Sequence, residues 1–204
     1  LICYDVTVVY GCEPTKHLGP HAAYSAWDRC YLSLLADFTF LADLVITVDD
    51  VGWDLESTCA TEVLVTGDLF HSKIDEDSAV YKNLVDWMRR NQVHIRLVVG
   101  NHDQFLRAWP EPQFQCVDHW RKGPFCFLHE STEEFKEAFQ ISGHVHPVVK
   151  LKGGGDQLRL KCFCLEPDQL LLPSYGAFTG GFEVQTQKSM KVFIIVGEEV
   201  MVLD

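Results

Sequence analysis

Three strand-like runs in this sequence each end in a glycine that is followed at once by a polar residue able to bind a ligand. Runs of apolar and β-branched residues that stop at glycine and polar residues predict buried strands ending in loops. Because ligands of α/β sheets gather at the carboxyl ends of the strands, we expect the three loops to converge on one site. In chain order, the loops are Gly67-Asp68, Gly100-Asn101-His102-Asp103 and Gly143-His144-Val145-His146.

Each loop alone has an ordinary structural explanation. Glycine and asparagine suit turns, aspartate can cap a helix, and a single histidine is more often a packed or exposed residue than a ligand. Jointly, the loops offer a carboxylate, an amide oxygen and several imidazoles, which is the donor set that a pair of divalent metals needs. Asp68 is the natural bridging carboxylate. The candidate metal-centre residues on these grounds are Asp68, Asn101, His102, His144 and His146, with His129 added because it ends the strand-like run 125–128.

The composition limits the classes of partner. The chain has 204 residues and a formal net charge of −12, which argues against a broad basic surface for duplex nucleic acid. A phosphorylated substrate is compatible with this charge, because divalent cations supply positive charge locally. We expect no membrane span, since acidic residues interrupt the longest apolar stretch, and the chain start lacks the pattern of a signal peptide. A cytoplasmic protein is the expectation.

The eight cysteines form no CxxC pair and no dense framework, so reduced thiols are expected. Cys162 and Cys164 are two residues apart and would share one face of a strand. A thiolate metal site at this pair is the minority interpretation.

The pattern of elements predicts a single α/β (α+β) domain over residues 1–204. Strands are expected at 2–10, 31–36, 62–66, 95–99, 125–128 and 139–142, with a closing hairpin at 192–196 and 200–203. The segment 78–91 reads as an amphipathic helix with Val80, Leu84, Val85, Trp87 and Met88 on one side. Residues 41–45 are interpreted as the possible start of a helix. An α/β first half and a β-rich second half suggest two packed sheets flanked by helices.

The combined motifs resemble those of calcineurin-like metallophosphoesterases, and most closely those of the DNA ligase-associated metallophosphoesterase family. The resemblance implies a four-layer α-β-β-α sandwich of two mixed sheets, two divalent metal sites supplied with Mn²⁺, and phosphoester hydrolysis by metal-activated hydroxide. The stretches that carry it are 67–72, 100–103, 129–130, 143–147 and 172–181.

The resemblance also implies roles for individual residues. Asp68 would bridge the metals, and Asn101, His129 and His144 would hold one of them. Asp37 and His146 would hold the other. His102 would steady the phosphate and protonate the leaving oxygen, and the surrounding or substrate-facing residues would be His71, Asp103 and Tyr175.

One position departs from the family pattern. The family has Asp-x-His on an early strand, and Thr39 stands here where the histidine is expected. A threonine hydroxyl is a poor replacement for imidazole, so the metal site at Asp37 is expected to be weakened. The segment between Asp37 and Asp68 is also shorter than in the family.

Two functions follow from these patterns. The first is a metal-dependent phosphodiesterase or phosphatase, acting on nucleotides or nucleic-acid ends and associated with DNA repair proteins by family resemblance alone. The second is a catalytically impaired scaffold of the same fold that binds other proteins, which Thr39 favours and the retained ligands oppose. A structural zinc domain fits poorly, because the inferred ligands include no cysteine.

Overall fold

The structure, a computed structural model, describes residues 8–11, 44–47, 62–70, 73–109, 111–174, 180–197 and 199–203. For 8–11 and 44–47 it describes the backbone alone. In these ranges the strands are β1 (Val8–Gly11), β2 (Leu44–Thr47), β3 (Glu62–Val65), β4 (His94–Val98), β5 (Phe114–Val117), β6 (Trp120–Lys122), β7 (Phe125–Leu128), β8 (Phe139–Ser142), β9 (Pro147–Gly153), β10 (Asp156–Leu165), β11 (Gln169–Leu171), β12 (Phe182–Glu183), β13 (Lys191–Val196) and β14 (Glu199–Leu203). One α-helix, α1 (Ala79–Asn91), and two short 3₁₀ helices, Gln104–Ala108 and Glu133–Phe135, complete them.

The first sheet has the order β2-β1-β3-β4-β5 and carries α1 on one face. Its strands β3, β4 and β5 are parallel, whereas β1 pairs antiparallel with both of its neighbours. The helix begins after Ser78, whose hydroxyl accepts a 3.2 Å hydrogen bond from the Tyr81 amide, and it ends at Gln92 in the left-handed conformation. It buries Tyr81, Val85 and Met88 against the sheet, on the side that the apolar pattern predicts.

The second sheet has the order β12-β9-β10-β11-β8-β7-β6, with β13 paired to β10 and β14 paired to β13. The inner apolar layer joins the two sheets. In that layer Leu64 and Val98 of the first sheet meet a cluster from the second sheet that consists of Phe125, Phe127, Ile141, Phe163, Leu170 and Leu172. Near the start of β3, Glu62 forms a 2.8 Å ion pair with Arg96 of β4. The guanidinium carbon of Arg96 also lies 4.6 Å from the centre of the Trp120 ring. The cation–π contact connects β4 of the first sheet to β6 of the second.

The mixed α/β fold with two sheets is the predicted one, and the helix at 78–91 and the closing hairpin are confirmed. The interpretation of 41–45 as a helix start is wrong for Leu44 and Val45, and 41–43 lie outside the described residues. Residues Leu44–Thr47 form a strand because Val45, Ile46 and Thr47 are β-branched and pair antiparallel with β1. The strand expected at 31–36 lies outside the described residues. In the described part of the chain no α-helix covers the outer face of the second sheet, so the fourth layer stays a prediction.

Two further expectations concern thiols and membranes. The cysteines at 116, 126, 162 and 164 are free thiols, and the Sγ atoms of Cys162 and Cys164 lie 3.9 Å apart on one strand face, as predicted. Among the described helices, none has the length and apolar character needed to cross a membrane.

Candidate metal centre

Two pairs of parallel strands, one pair in each sheet, deliver the polar loops to one place. In the first sheet β3 leads into Gly67-Asp68 and β4 leads into the loop 100–103. In the second sheet β7 leads into His129 and β8 leads into the loop 143–146. Because each pair is parallel, its two carboxyl ends lie at the same edge of its sheet. The four loops therefore meet where the edges of the two facing sheets come together.

Asp68 lies at the centre of these loops and is buried, with a backbone φ of 51°. Its Oδ1 atom accepts a 2.9 Å hydrogen bond from the backbone amide of His102. Gly100 is needed beside it, because a Cβ atom there would lie 2.2 Å from Asp68 Oδ1. Gly67 has the same function for His129, since its Cβ would lie 2.1 Å from the ring nitrogen Nδ1. The two glycines thus make the room in which Asp68 and His129 approach each other.

His129 is oriented by a backbone carbonyl. Its Nδ1 lies 2.9 Å from the carbonyl oxygen of Thr66. A carbonyl can only accept, so Nδ1 carries the proton and Nε2 presents a lone pair. That lone pair faces Oδ1 of Asn101 at 3.0 Å and Oδ2 of Asp68 at 3.5 Å.

His144 completes the cluster from the second sheet. Its Nδ1 lies 2.9 Å from Nε2 of His129, and its backbone φ of 53° turns the loop so that the ring reaches the site. The ligand atoms of Asp68, His129 and His144 all lie within 4.8 Å of one another. On its far side, Nε2 of His144 lies 4.0 Å from Oε2 of Glu130.

The donor set fits a divalent cation. The carboxylate of Asp68, the amide oxygen of Asn101 and the Nε2 atom of His129 converge on one place, and each of these atoms can bind a cation. The oxygen and nitrogen ligands are those that Mn²⁺, Mg²⁺ and Zn²⁺ accept. The residues present would therefore hold a divalent metal at Asp68, Asn101, His129 and His144.

Asp103 connects the loop 100–103 to the segment that follows Asp68. Its carboxylate is fully buried and accepts hydrogen bonds from the amide of Gly100 at 3.2 Å and from the amide of Phe70 at 3.4 Å. Burial raises the pKa of the Asp103 carboxyl above its ordinary value, and the Asp68 charge acts in the same direction, while the two backbone amides oppose the rise. The segment after Asp68 and the loop 100–103 are held in register by this side chain.

The structure places the other expected residues as follows. The backbone amide of His102 donates to Asp68, and the residue is exposed. His146 is half-buried with φ of 50°, and its carbonyl accepts a 3.0 Å hydrogen bond from Phe182, but its ring is not part of the Asp68, His129 and His144 group. Asp37, Thr39, His71 and Tyr175 lie outside the described residues.

Two contributors were not expected from the sequence. Thr66 acts through its backbone carbonyl, which every residue type carries, so no sequence signal marks it. Glu130, for which the sequence predicted no role, faces the outer nitrogen of His144. Its place beside His129 in the chain was the one available signal.

The comparisons with known proteins agree with this geometry. The family model described as calcineurin-like phosphoesterase matches residues 38–173. The chain belongs to the calcineurin-like phosphoesterase family. The substrate class is therefore a phosphoester, and the enzyme class is that of phosphoric ester hydrolases. Among curated proteins, no sequence matches this chain.

Two solved structures are similar to this phosphoesterase. The crystal structure of Pseudomonas putida nuclease MPE is 29% identical, covers 75% of this chain and 75% of that chain, and has a TM-score of 0.64. The crystal structure of a Vps29 double mutant from Entamoeba histolytica is 14% identical, covers 77% of this chain and 88% of that chain, and has a TM-score of 0.36. The second likeness is too low to bear on fold or function.

Proposed function

We propose that this phosphoesterase is a metal-dependent phosphodiesterase that cleaves the backbone of a polynucleotide. The observation that carries the proposal is the convergence of acceptor atoms from Asp68, Asn101 and His129, with His144 beside them. The nucleic-acid part is supported by the likeness to a nuclease and by the resemblance of the motifs to those of DNA ligase-associated metallophosphoesterases. A cytoplasmic location and DNA repair partners rest on the resemblance alone.

The protein residues divide the work around the phosphoryl group. A divalent cation, when bound, neutralises phosphoryl charge and lowers the pKa of water towards neutrality. His102 follows a residue of the cluster, and its exposed ring can donate a proton from nitrogen to the leaving oxygen, a task suited to an imidazole near neutral pH. The hydrogen bond from the backbone amide of His102 to Asp68 holds the residue next to the cluster.

A second metal site at Asp37 and His146 is part of the proposal, with Mn²⁺ as the metal. Thr39 weakens this site, because a neutral hydroxyl replaces an imidazole. Replacing Thr39 by His should therefore raise Mn²⁺-dependent hydrolysis. A scaffold that binds other proteins is the second candidate, favoured by Thr39, and it predicts no gain from this substitution.

Hydrolysis of bis-p-nitrophenyl phosphate tests the proposed function. We expect turnover with added Mn²⁺, loss of turnover with EDTA, and a fall of about 100-fold or more in kcat for His102→Ala. The matched control is His119→Ala, because His119 is an exposed histidine stacked on Phe135. A folded protein without turnover in any divalent metal would overturn the enzyme and leave the scaffold.

A further inference from the structure

The hairpin formed by β9 and β10 extends beyond the edge of the sheet where the metal centre lies. Strand β9 begins at Pro147, directly after His146. It is antiparallel to β10, which is antiparallel to β11, and β11 is parallel to β8. Strand β9 therefore runs in the same direction as β8 but starts where β8 and its loop end. The residues from 148 to 161 therefore extend beyond the carboxyl end of β8, where the polar loops lie.

The side chains of this hairpin sort cleanly onto two faces. Arg159 pairs with Lys150, Gln157 with Lys152, and Lys161 with Val148, so these residues share one face. Phe163 continues the same face along β10, and it lies in the apolar layer between the two sheets. The face is thus the one turned towards the first sheet. Beyond the sheet edge, it is therefore on the side of the second sheet that faces the first sheet, between whose edges the metal-binding loops meet.

This face is basic although the chain carries a net charge of −12. It holds Lys150, Lys152, Arg159 and Lys161, and we call these residues the basic face. Within the described residues, the carboxylate of Glu183 forms an ion pair with Lys150. Lys161 donates a 2.8 Å hydrogen bond to the carbonyl of Ser174, and Arg159 donates to the carbonyl of Gly181. These hydrogen bonds to backbone carbonyls orient the two side chains.

The cations of the basic face are regularly spaced along the two strands. Residues two apart on a strand are separated by roughly 6.7 Å, and paired strands by about 4.8 Å. The four cations thus form a short double row that begins about two residues beyond His146. No aromatic side chain of the described residues lies among them, so contacts to phosphate are favoured over stacking with bases.

We infer that the basic face binds the sugar–phosphate backbone of a polynucleotide and leads it into the metal centre. The inference rests on the proposed function and assigns its substrate surface. Phosphate contacts of this kind place the chain without reading its sequence. The strongly negative remainder of the surface would repel the same polymer, which confines binding to this hairpin.

Binding without turnover tests the inference directly. The probe is a fluorescein-labelled single-stranded DNA of about 16 nucleotides, titrated by fluorescence anisotropy in EDTA so that hydrolysis does not enter. For the full chain with Lys152→Gln and Arg159→Gln together, we expect the Kd to rise about 20-fold near 0.1 M salt. The slope of log K against log salt should fall by about 1.4, or 0.7 for each lost phosphate contact.

The matched control removes the same charge elsewhere. Lys82→Gln with Arg90→Gln neutralises two exposed cations of α1, on the far side of the first sheet, and should leave the Kd unchanged. Equal losses in both double variants would overturn the inference, as would a wild-type chain that does not bind the DNA. Lys152→Gln alone is the variant least able to disturb folding, because Lys152 is exposed, and it should cost about fivefold.

Glu183→Gln gives a result that misfolding cannot imitate. Removing this carboxylate releases Lys150 for phosphate, so DNA binding should tighten by about fivefold. Unchanged or weaker binding would contradict the inference. Failure of bis-p-nitrophenyl phosphate hydrolysis overturns the proposed function, and the EDTA titration is unaffected by that outcome, so the two failures are distinguishable.

Discussion

The Nδ1 atom of His129 lies 2.9 Å from the carbonyl oxygen of Thr66, and this contact fixes which ring nitrogen can bind a metal. His129→Asn should separate the two functions of the ring, because the Asn amide can still donate to Thr66 while the Nε2 ligand is lost. We expect Mn²⁺ affinity, measured by isothermal titration calorimetry, to fall by more than the roughly 10- to 100-fold that losing an outer partner of a ligand costs.

The control for this substitution is His94→Asn. His94 is exposed and begins β4, at the opposite end of that strand from Gly100. Its replacement should leave Mn²⁺ affinity unchanged. Wild-type affinity in the folded His129→Asn variant would show that His129 is a structural residue and not a ligand.

Gly100→Ala should damage the site by steric contact alone. The added Cβ would lie 2.2 Å from Asp68 Oδ1 and 2.6 Å from the Asp68 backbone nitrogen, so Asp68 or the loop must move. We expect a loss of about 2 kcal/mol in the free energy of unfolding and weaker Mn²⁺ binding. Urea denaturation measures the first quantity. Gly153→Ala is the control, since its Cβ would meet no atom within 4 Å, and equal effects of both substitutions would refute the packing argument.

Asp103→Asn should loosen the connection between two metal-binding loops. The carboxylate accepts from both Gly100 and Phe70, but a carboxamide has one oxygen and would turn its NH₂ group towards the second amide. We expect the free energy of unfolding to fall by about 1–3 kcal/mol, the cost of leaving a buried donor without a partner. Thermal or urea denaturation tests this. A variant as stable as the wild type would show that the hydrogen bonds of Asp103 do not stabilise the two loops.

Cys116 should be a poor nucleophile in the folded protein. Burial raises the pKa of its thiol to about 11, and the Asp103 charge adds to the rise. At pH 8 the thiolate fraction is then about 100-fold below that of an ordinary cysteine, and iodoacetamide labelling should slow at least in proportion. The rate should climb as the pH approaches 11. Peptide mass spectrometry measures it, with the urea-unfolded chain as control, and equal rates in both states would contradict the prediction.

The convergence of Asp68, His129 and His144 was predictable from sequence because its signal is local. Asp68, Asn101, His129 and His144 each stand one to a few residues beyond an apolar run, and the carboxyl ends of parallel strands meet. The mixed α/β fold with two sheets followed from the same alternation of strands and breaks. The strand at Leu44–Thr47 was missed because no glycine or proline marks either of its ends, and its pairing with β1 is a contact between distant parts of the chain.

Other features depend on contacts between distant parts of the chain. The carbonyl of Thr66 carries no residue-type signal, yet it orients His129 from 63 residues away. The cations of the basic face are separated in sequence by apolar residues, and only the register of β9 with β10 places them side by side. In the sequence these four cations are therefore dispersed, whereas in the fold they share one face of the hairpin.

The most direct test of the metal centre is an anomalous difference map from a crystal soaked in Mn²⁺, recorded on the wild-type chain and on His129→Asn. We predict a peak in contact with Asp68, Asn101, His129 and His144 in the wild type, and its loss or strong reduction in the variant. A wild-type map without a peak there, or with Mn²⁺ bound only elsewhere, would contradict the account.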